Sequence, residues 1–218
     1  MNRIAGFYST TVGKKVLMAV TGIILVLYVI GHMLGNMQIY MGAEQINGYA
    51  ELLHSSSAFL WTARLVLLFC VLVHIVAAVQ LWARNRASRP VKYKKFRPPE
   101  ADYAARTMVW SGPILAFFII YHILHFTTGQ AHSSFVAGAV HQNYVSAFQN
   151  PLIFGVYLLA QTALCFHLYH GVWSFFQTLG LSHPKYNHLR RPFAIGFAVV
   201  VFVGFLTPPT LVLAGVIS

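Results

Sequence analysis

Charged residues are scarce in this chain of 218 residues, and acidic residues are the scarcest of them. Only 9% of the residues are charged, with four Asp or Glu in all, whereas 57% are hydrophobic. A soluble domain of this size usually carries roughly a quarter to a third of charged residues on a mixed surface. The composition therefore excludes an ordinary soluble domain and indicates that lipid is the main solvent.

Cysteine is almost absent, and its two positions exclude two kinds of site. Cys70 and Cys165 both lie inside apolar segments, so the sequence offers neither a disulfide framework nor a CxxC metal site. The first apolar segment, about 22 residues long, is too long for the core of a cleavable signal peptide. We therefore expect it to remain in the protein as a membrane helix.

Five apolar segments are long enough to cross a bilayer, whose hydrocarbon core takes roughly 20 residues of helix. They cover residues 16–37, 60–83, 107–128, 151–179 and 192–217. The polar segments between them are too short to fold separately. We predict one all-α integral membrane domain, residues 1–218, with five transmembrane helices. Pro208 and Pro209 lack backbone donors and are expected to break the last helix near its exit.

The basic residues predict the orientation of the chain. Of the 15 Lys and Arg, all but Arg64 lie before the first span or in the segments that join spans two to three and four to five. Cytoplasmic loops are enriched in Lys and Arg. We predict a multi-pass protein of the cell's inner (cytoplasmic) membrane, with the amino terminus cytoplasmic and the carboxyl terminus outside.

The basic segment 84–97 has two interpretations of equal weight. It is either a topology signal with affinity for anionic lipid or a docking face for a soluble partner. Nucleic-acid binding is not indicated, because the basic residues flank apolar segments and do not form a face with interleaved aromatics.

Histidine is unusually common for so apolar a chain. Six of the 11 histidines lie within four of the predicted spans: His32, His74, His122, His125, His167 and His170. A polar side chain in hydrocarbon is costly and usually marks a cofactor, an ion path or a substrate site. A hydrogen bond to a neighbouring helix would explain any one of them, but hardly six on four helices.

Helix rise places four of these histidines at two levels. His32 and His122 lie roughly 25 Å and 24 Å from the cytoplasmic ends of their helices, whereas His74 and His167 lie roughly 15 Å and 20 Å from theirs. Two pairs predict two bis-histidine haems stacked across the bilayer, with the first four helices forming a haem-binding four-helix bundle. Such unequal depths do not suit a single tetrahedral zinc site.

Two further histidines compete for the ligand roles, because each lies about one helical turn from a candidate. Depth alone slightly favours His170 over His167 as the partner of His74. His125 would lie above the level of His32, and we expect it to line the outer rim. Small residues that would admit a porphyrin, or simply allow helix packing, flank the candidates: Gly31, Gly35, Ala77, Ala78 and Gly171.

The segments around the histidines carry a family resemblance. They read GKKVLMAVTGIILVLYVIGHMLGN, VLVHIVAAVQLW, FFIIYHILHFTTG and FHLYHGVWSFFQTLG. Together with GAEQIN, residues 42–47, they resemble the five-helix, di-haem cytochrome b subunit of succinate:quinone oxidoreductases over nearly the whole chain.

The resemblance implies specific ligands. It assigns His32 and His122 to the distal haem, near the outer face, and His74 and His167 to the proximal haem, near the cytoplasm. It chooses His167 over His170, because the pattern FHxxxGxWSF places the ligand at its first histidine.

The resemblance also implies cofactors and partners. The chain would hold two b haems, and a flavoprotein subunit and an iron–sulfur subunit of succinate dehydrogenase would dock on its basic face, carrying the FAD and the iron–sulfur clusters. Electrons would pass from succinate through both haems to a quinone, usually menaquinone. Assembly of the whole complex into a higher oligomer stays open.

A quinone would bind near the distal haem. The polar candidates there are Asn36, Gln38, Glu44, Asn47, Tyr49 and Glu51. Quinone reduction takes up two protons, which Glu44 or Glu51 could relay, although each is as readily a solvated loop residue. Some fumarate reductases have a glutamate two residues before the proximal ligand, where this chain has Cys165, so a transmembrane proton route there is doubtful.

Two other functions fit parts of the pattern. One is the cytochrome b anchor of another membrane dehydrogenase, such as a hydrogenase or formate dehydrogenase. The other is a haem-free, histidine-lined transporter or channel.

Overall fold

The computed structural model describes residues 3–88 and 103–218, and every regular element in this part of the chain is helical. The α-helices are α1 (Arg3–Ser9), α2 (Thr11–Asn36), α3 (Ala43–His54), α4 (Ser57–Ala87), α5 (Tyr103–His122), α6 (Val140–Phe148), α7 (Pro151–Thr178) and α8 (Asn187–Leu213). A 3-10 turn, Met37–Met41, extends α2, and a π-helical turn, Ile123–Thr127, extends α5.

Five of the described helical segments are long and apolar enough to cross a membrane. They are Thr11–Met41, Ser57–Ala87, Arg106–Thr127, Pro151–Thr178 and Asn187–Leu213. Large apolar side chains on them point away from the rest of the chain, as in Phe117, 74% exposed, and Leu152, 80% exposed. Such surfaces are stable only against lipid or another protein. The prediction of an all-helical chain with five spans is confirmed.

Polar caps set where several of these helices begin. The side chain of Thr10 accepts a hydrogen bond from the Gly13 amide at 2.9 Å, and that of Asn150 accepts one from Leu152 at 2.9 Å. Ser56 caps α4 in the same way. A capping oxygen satisfies an amide that has no partner inside the helix. The first two spans therefore begin several residues before their apolar runs.

The two consecutive prolines do not break α8, which continues to Leu213. The prediction that Pro208 and Pro209 end this helix was wrong. The hydroxyls of the flanking threonines donate to carbonyls one turn earlier, Thr207 to Val203 at 2.7 Å and Thr210 to Leu206 at 2.8 Å. Pro208 and Pro209 are both buried against the rest of the chain, and membrane helices tolerate proline where neighbouring helices support the backbone.

The spanning helices pack in a definite order. Among the described residues the closest pairs are α7 with α8, α2 with α4, and α5 with α7, and α2 also contacts α7. The first four spans therefore follow the order α4, α2, α7, α5 around the bundle, and α8 packs outside it against α7 and α2. Van der Waals packing of this kind drives helix association in lipid.

Two short helices close one end of the bundle. The helices α3 and α6 contact each other, and the side-chain oxygen of Asn47 accepts a hydrogen bond from the His141 amide at 3.0 Å. We call this the outer end, because the charge pattern predicts that it faces outward. Residues 84–88 of the predicted docking segment 84–97 lie at the opposite end, and the rest of that segment falls outside the described part of the chain.

Candidate cofactor site

Four histidines from four different helices meet as two pairs. The ring centroids of His32 and His122 lie 5.7 Å apart, with an interplanar angle of 78°, and those of His74 and His167 lie 6.1 Å apart, at 53°. A metal–imidazole bond is about 2 Å long, so two imidazoles on opposite sides of one metal place their centroids roughly 6 Å apart. Both pairs have the separation of an axial ligand couple.

Each pair bridges helices that are not neighbours in the bundle. His32 on α2 faces His122 near the end of α5, and His74 on α4 faces His167 on α7. Neither of these helix pairs is among those that pack closely in the described residues. The imidazoles therefore meet across the interior of the bundle, where a planar group could lie between the helices.

Hydrogen bonds orient His74, one member of the histidine pair farther from the outer end. Nδ1 of His74 lies 3.1 Å from the Met18 carbonyl and 3.3 Å from the Thr21 hydroxyl. Donation from Nδ1–H to the carbonyl leaves the Nε2 lone pair available for a metal. A Cβ added to Gly22 would lie 3.3 Å from Cε1 of His74, so only glycine permits this approach without displacing the ring.

The hydrogen bonding of His167 differs from that of His74. Its Nδ1 is buried and has no hydrogen-bond partner among the described residues. His170 lies one turn further on, with its ring 6.2 Å from Trp173. Of the two candidates left open by depth, the structure brings the ring of His167 next to His74.

The pair nearer the outer end is enclosed by aromatic rings. Tyr28 stacks on His32 at 5.5 Å, and Phe118 stacks on His122 at 5.7 Å. Nδ1 of His122 lies 3.2 Å from the hydroxyl of Tyr157. Tyr157 is not among the residues predicted from the sequence, although a tyrosine inside an apolar span needs a polar partner and is a usable signal.

The prediction that His125 lines the outer rim was wrong. It is fully buried in the π-helical turn, because the segment after α5 folds back over it. Its Nδ1 lies 2.9 Å from the Tyr157 hydroxyl, and its ring is 4.8 Å from that of His132. His132 in turn lies 3.1 Å from the Ser146 hydroxyl, and burial holds the pKa of His132 below its usual range.

The six quinone candidates fall into different environments. Asn36 donates a hydrogen bond to the His32 carbonyl at 2.7 Å. Tyr49, on α3, lies against Gly35 of α2, the helix that carries Asn36 and His32. Gln38 accepts a hydrogen bond from Gln45 at 2.8 Å. Asn47 ties α3 to α6 through its bond to His141, and both carboxylates, Glu44 and Glu51, are exposed on α3. Asn36 and Tyr49 are thus associated with the helix segment that carries His32.

The donor set suits a porphyrin better than a bare metal ion. Within residues 3–88 and 103–218, no group of three or more His, Cys, Asp and Glu side chains is arranged to hold a metal. In a bis-histidine haem the porphyrin supplies four ligands to the iron and the protein supplies two. A Cβ added to Gly31 or Gly171, beside the ligand candidates, would meet nothing within 4 Å, so packing among the described residues does not require glycine at either position. The residues present fit two haems.

Comparison with known proteins gives one match. A family model described as the succinate dehydrogenase/fumarate reductase transmembrane subunit matches residues 83–207, more than half of the chain. The matched region contains His122 and His167, whereas His32 and His74 precede it. No curated protein and no solved structure shows a significant match.

Proposed function

Because the chain belongs to the succinate dehydrogenase/fumarate reductase transmembrane subunit family, we propose that it is the di-haem cytochrome b anchor of such a complex. It passes electrons from the iron–sulfur subunit to a quinone, menaquinone being the usual one in this class. The observation that carries the proposal is the meeting of four histidines, one from each of four spans, as two couples at 5.7 Å and 6.1 Å.

His74 and His167 hold the proximal haem. The Met18 carbonyl keeps the proton of His74 on Nδ1, so that Nε2 is the coordinating atom. His32 and His122 hold the distal haem, nearer the outer end. When bound, the haems supply one-electron carriers, and the protein fixes their spacing and their surroundings.

The quinone site lies beside the distal haem, where α2 leads into α3. Asn36 and Tyr49 adjoin the His32 segment, which supports a role for both in binding the quinone oxygens. Glu44 and Glu51, exposed on α3, exchange protons with solvent and relay the two protons that the quinone takes up or releases. Gln38 and Asn47, already bonded to neighbouring residues, hold the outer segment in shape.

The flavoprotein and iron–sulfur subunits dock at the end opposite α3 and α6. Basic residues collect there, including Lys15, Arg84, Arg86, Arg190 and Arg191. The amino terminus lies on that cytoplasmic side and the carboxyl terminus outside, in the inner membrane of the cell. An excess of cations suits docking to an acidic protein surface as well as to anionic lipid.

The experiment that tests this proposal is a reduced-minus-oxidised spectrum of the purified complex and its ligand variants. The complex should show b-type haem, and His74→Ala and His32→Ala should each lose one of two haems. His167→Ala should also lose one, whereas the matched control His170→Ala should retain both. A wild-type complex without a b-type α-band, or retention of both haems in His74→Ala and His32→Ala, would overturn the proposal.

A further inference from the structure

The hydroxyl of Tyr157 lies between two histidine rings. Its oxygen is 3.2 Å from Nδ1 of His122 and 2.9 Å from Nδ1 of His125. Both separations are hydrogen-bond distances. Tyr157 itself is only 6% exposed, so water does not compete freely for its hydroxyl.

The number of protons fixes the direction of these bonds. A tyrosine hydroxyl has one proton, so Tyr157 cannot donate to both imidazoles. If His122 coordinates iron through Nε2, its Nδ1 carries a proton and donates to the Tyr157 oxygen. Tyr157 then donates its own proton to Nδ1 of His125, whose remaining proton sits on Nε2.

We propose that Tyr157 is a positioning residue for the distal haem ligand, and that it acts through His122. By accepting the Nδ1 proton it selects one tautomer of His122 and turns the Nε2 atom toward His32. A hydrogen bond at this atom also raises the basicity of the imidazole as a ligand. The inference rests on the proposed function, because it takes His122 as an iron ligand.

His125 fixes the Tyr157 hydroxyl from the other side by accepting its hydrogen bond. It is fully buried and sits in the π-helical turn that begins one residue after His122. Such turns occur frequently at functional sites. The turn places both histidines on the α5 face that meets α7, so that one hydroxyl reaches both Nδ1 atoms.

Aromatic rings on three elements prevent Tyr157 from turning away. Their centroids lie 5.0 Å from it for Phe118, 4.9 Å for Phe148 and 5.9 Å for Phe126. Packed rings of this kind lock a rotamer and so preorganise the hydrogen bond. Tyr157 therefore has the fixed geometry that a positioning residue needs.

The test uses Tyr157→Phe, which keeps the ring and removes only the hydroxyl. The matched control is Tyr121→Phe, because Tyr121 stacks on His125 at 5.2 Å but makes no hydrogen bond to a histidine among the described residues. The midpoint potentials of both haems are measured by redox titration of the purified complex. Loss of an outer partner typically costs 10–100-fold in metal affinity, and a tenfold loss confined to the ferric state raises the potential by about 60 mV.

We expect Tyr157→Phe to raise the potential of the distal haem alone, with Tyr121→Phe unchanged. Equal distal-haem potentials in Tyr157→Phe and wild type would overturn the inference. The proposed function would still stand in that case, because it requires only that the wild-type complex contains the haems. If Tyr157→Phe loses the distal haem, His125→Phe is titrated instead, since it keeps the tyrosine and removes its acceptor. A smaller shift in the same direction supports the inference, and no shift overturns it.

Discussion

Gly22→Ala should strengthen a helix and weaken a haem site at the same time. Alanine in place of glycine within a helix is favourable by about 1 kcal/mol. At this position, however, the new Cβ would lie 3.3 Å from Cε1 and 3.6 Å from Nδ1 of His74. Comfortable carbon contacts lie at about 3.5–4.0 Å, so the imidazole must retreat by a few tenths of an ångström.

This displacement of the imidazole weakens the hydrogen bond that orients His74, the proposed proximal ligand. The His74 Nδ1 to Met18 carbonyl distance is 3.1 Å, already near the long end of the usual range. Removing such a partner typically costs 10–100-fold in metal affinity, which corresponds to about 1.4–2.8 kcal/mol. A bond that is lengthened but kept loses a part of this free energy, so haem affinity should fall even though the helix itself becomes more stable.

The assay is the rate at which the purified complex loses proximal haem to an excess of apomyoglobin. Gly196→Ala on α8 is the control, because its Cβ would meet nothing within 4 Å. We expect faster loss in Gly22→Ala and a wild-type rate in Gly196→Ala. Equal rates in the two variants would refute the reasoning.

Three further predictions concern the outer end and the core. Burial lowers the pKa of His132, so protonation favours a locally unfolded form of the segment 128–139 in which the imidazole is exposed. The stability that depends on the neutral, buried His132 is therefore present above the ordinary histidine pKa and is lost as the pH falls below about 6.5. Proteolysis of the segment 128–139 should accelerate at low pH in the wild type but not in His132→Gln. Gly204→Val would drive a side chain into Met33 and should cost about 1–3 kcal/mol, seen as a lower Tm of the complex. Asn47→Ala removes the bond to His141 and should loosen the contact of α3 with α6 by about 1 kcal/mol, seen as faster amide exchange in α6.

The five spans were predictable because hydropathy and length suffice to recognise a membrane helix. Their ends were not, since Thr10 and Ser56 cap the first two helices outside the apolar runs. The continuation of α8 past Pro208 reflects the packing of its buried prolines against the rest of the chain, which a rule about proline alone does not consider.

The pairing of the histidines was predictable in outline from helix rise, because two pairs share two levels. Depth could not choose between His167 and His170, which lie within one turn of each other, whereas the packed helices bring His167 to His74. The contacts of Tyr157 with His122 and His125 could not be predicted from the sequence, because they require that α5 pack on α7 in one register. His125 was misplaced for a related reason, since nothing in its spacing shows that the following segment folds over it.

The most direct test of the account is the amount and ligation of haem in the purified complex. Haem extraction and low-temperature electron paramagnetic resonance should give two b haems per chain, both low-spin ferric with two imidazole ligands. A preparation with intact partner subunits and no low-spin haem would contradict the claim that these four histidines act as two axial couples.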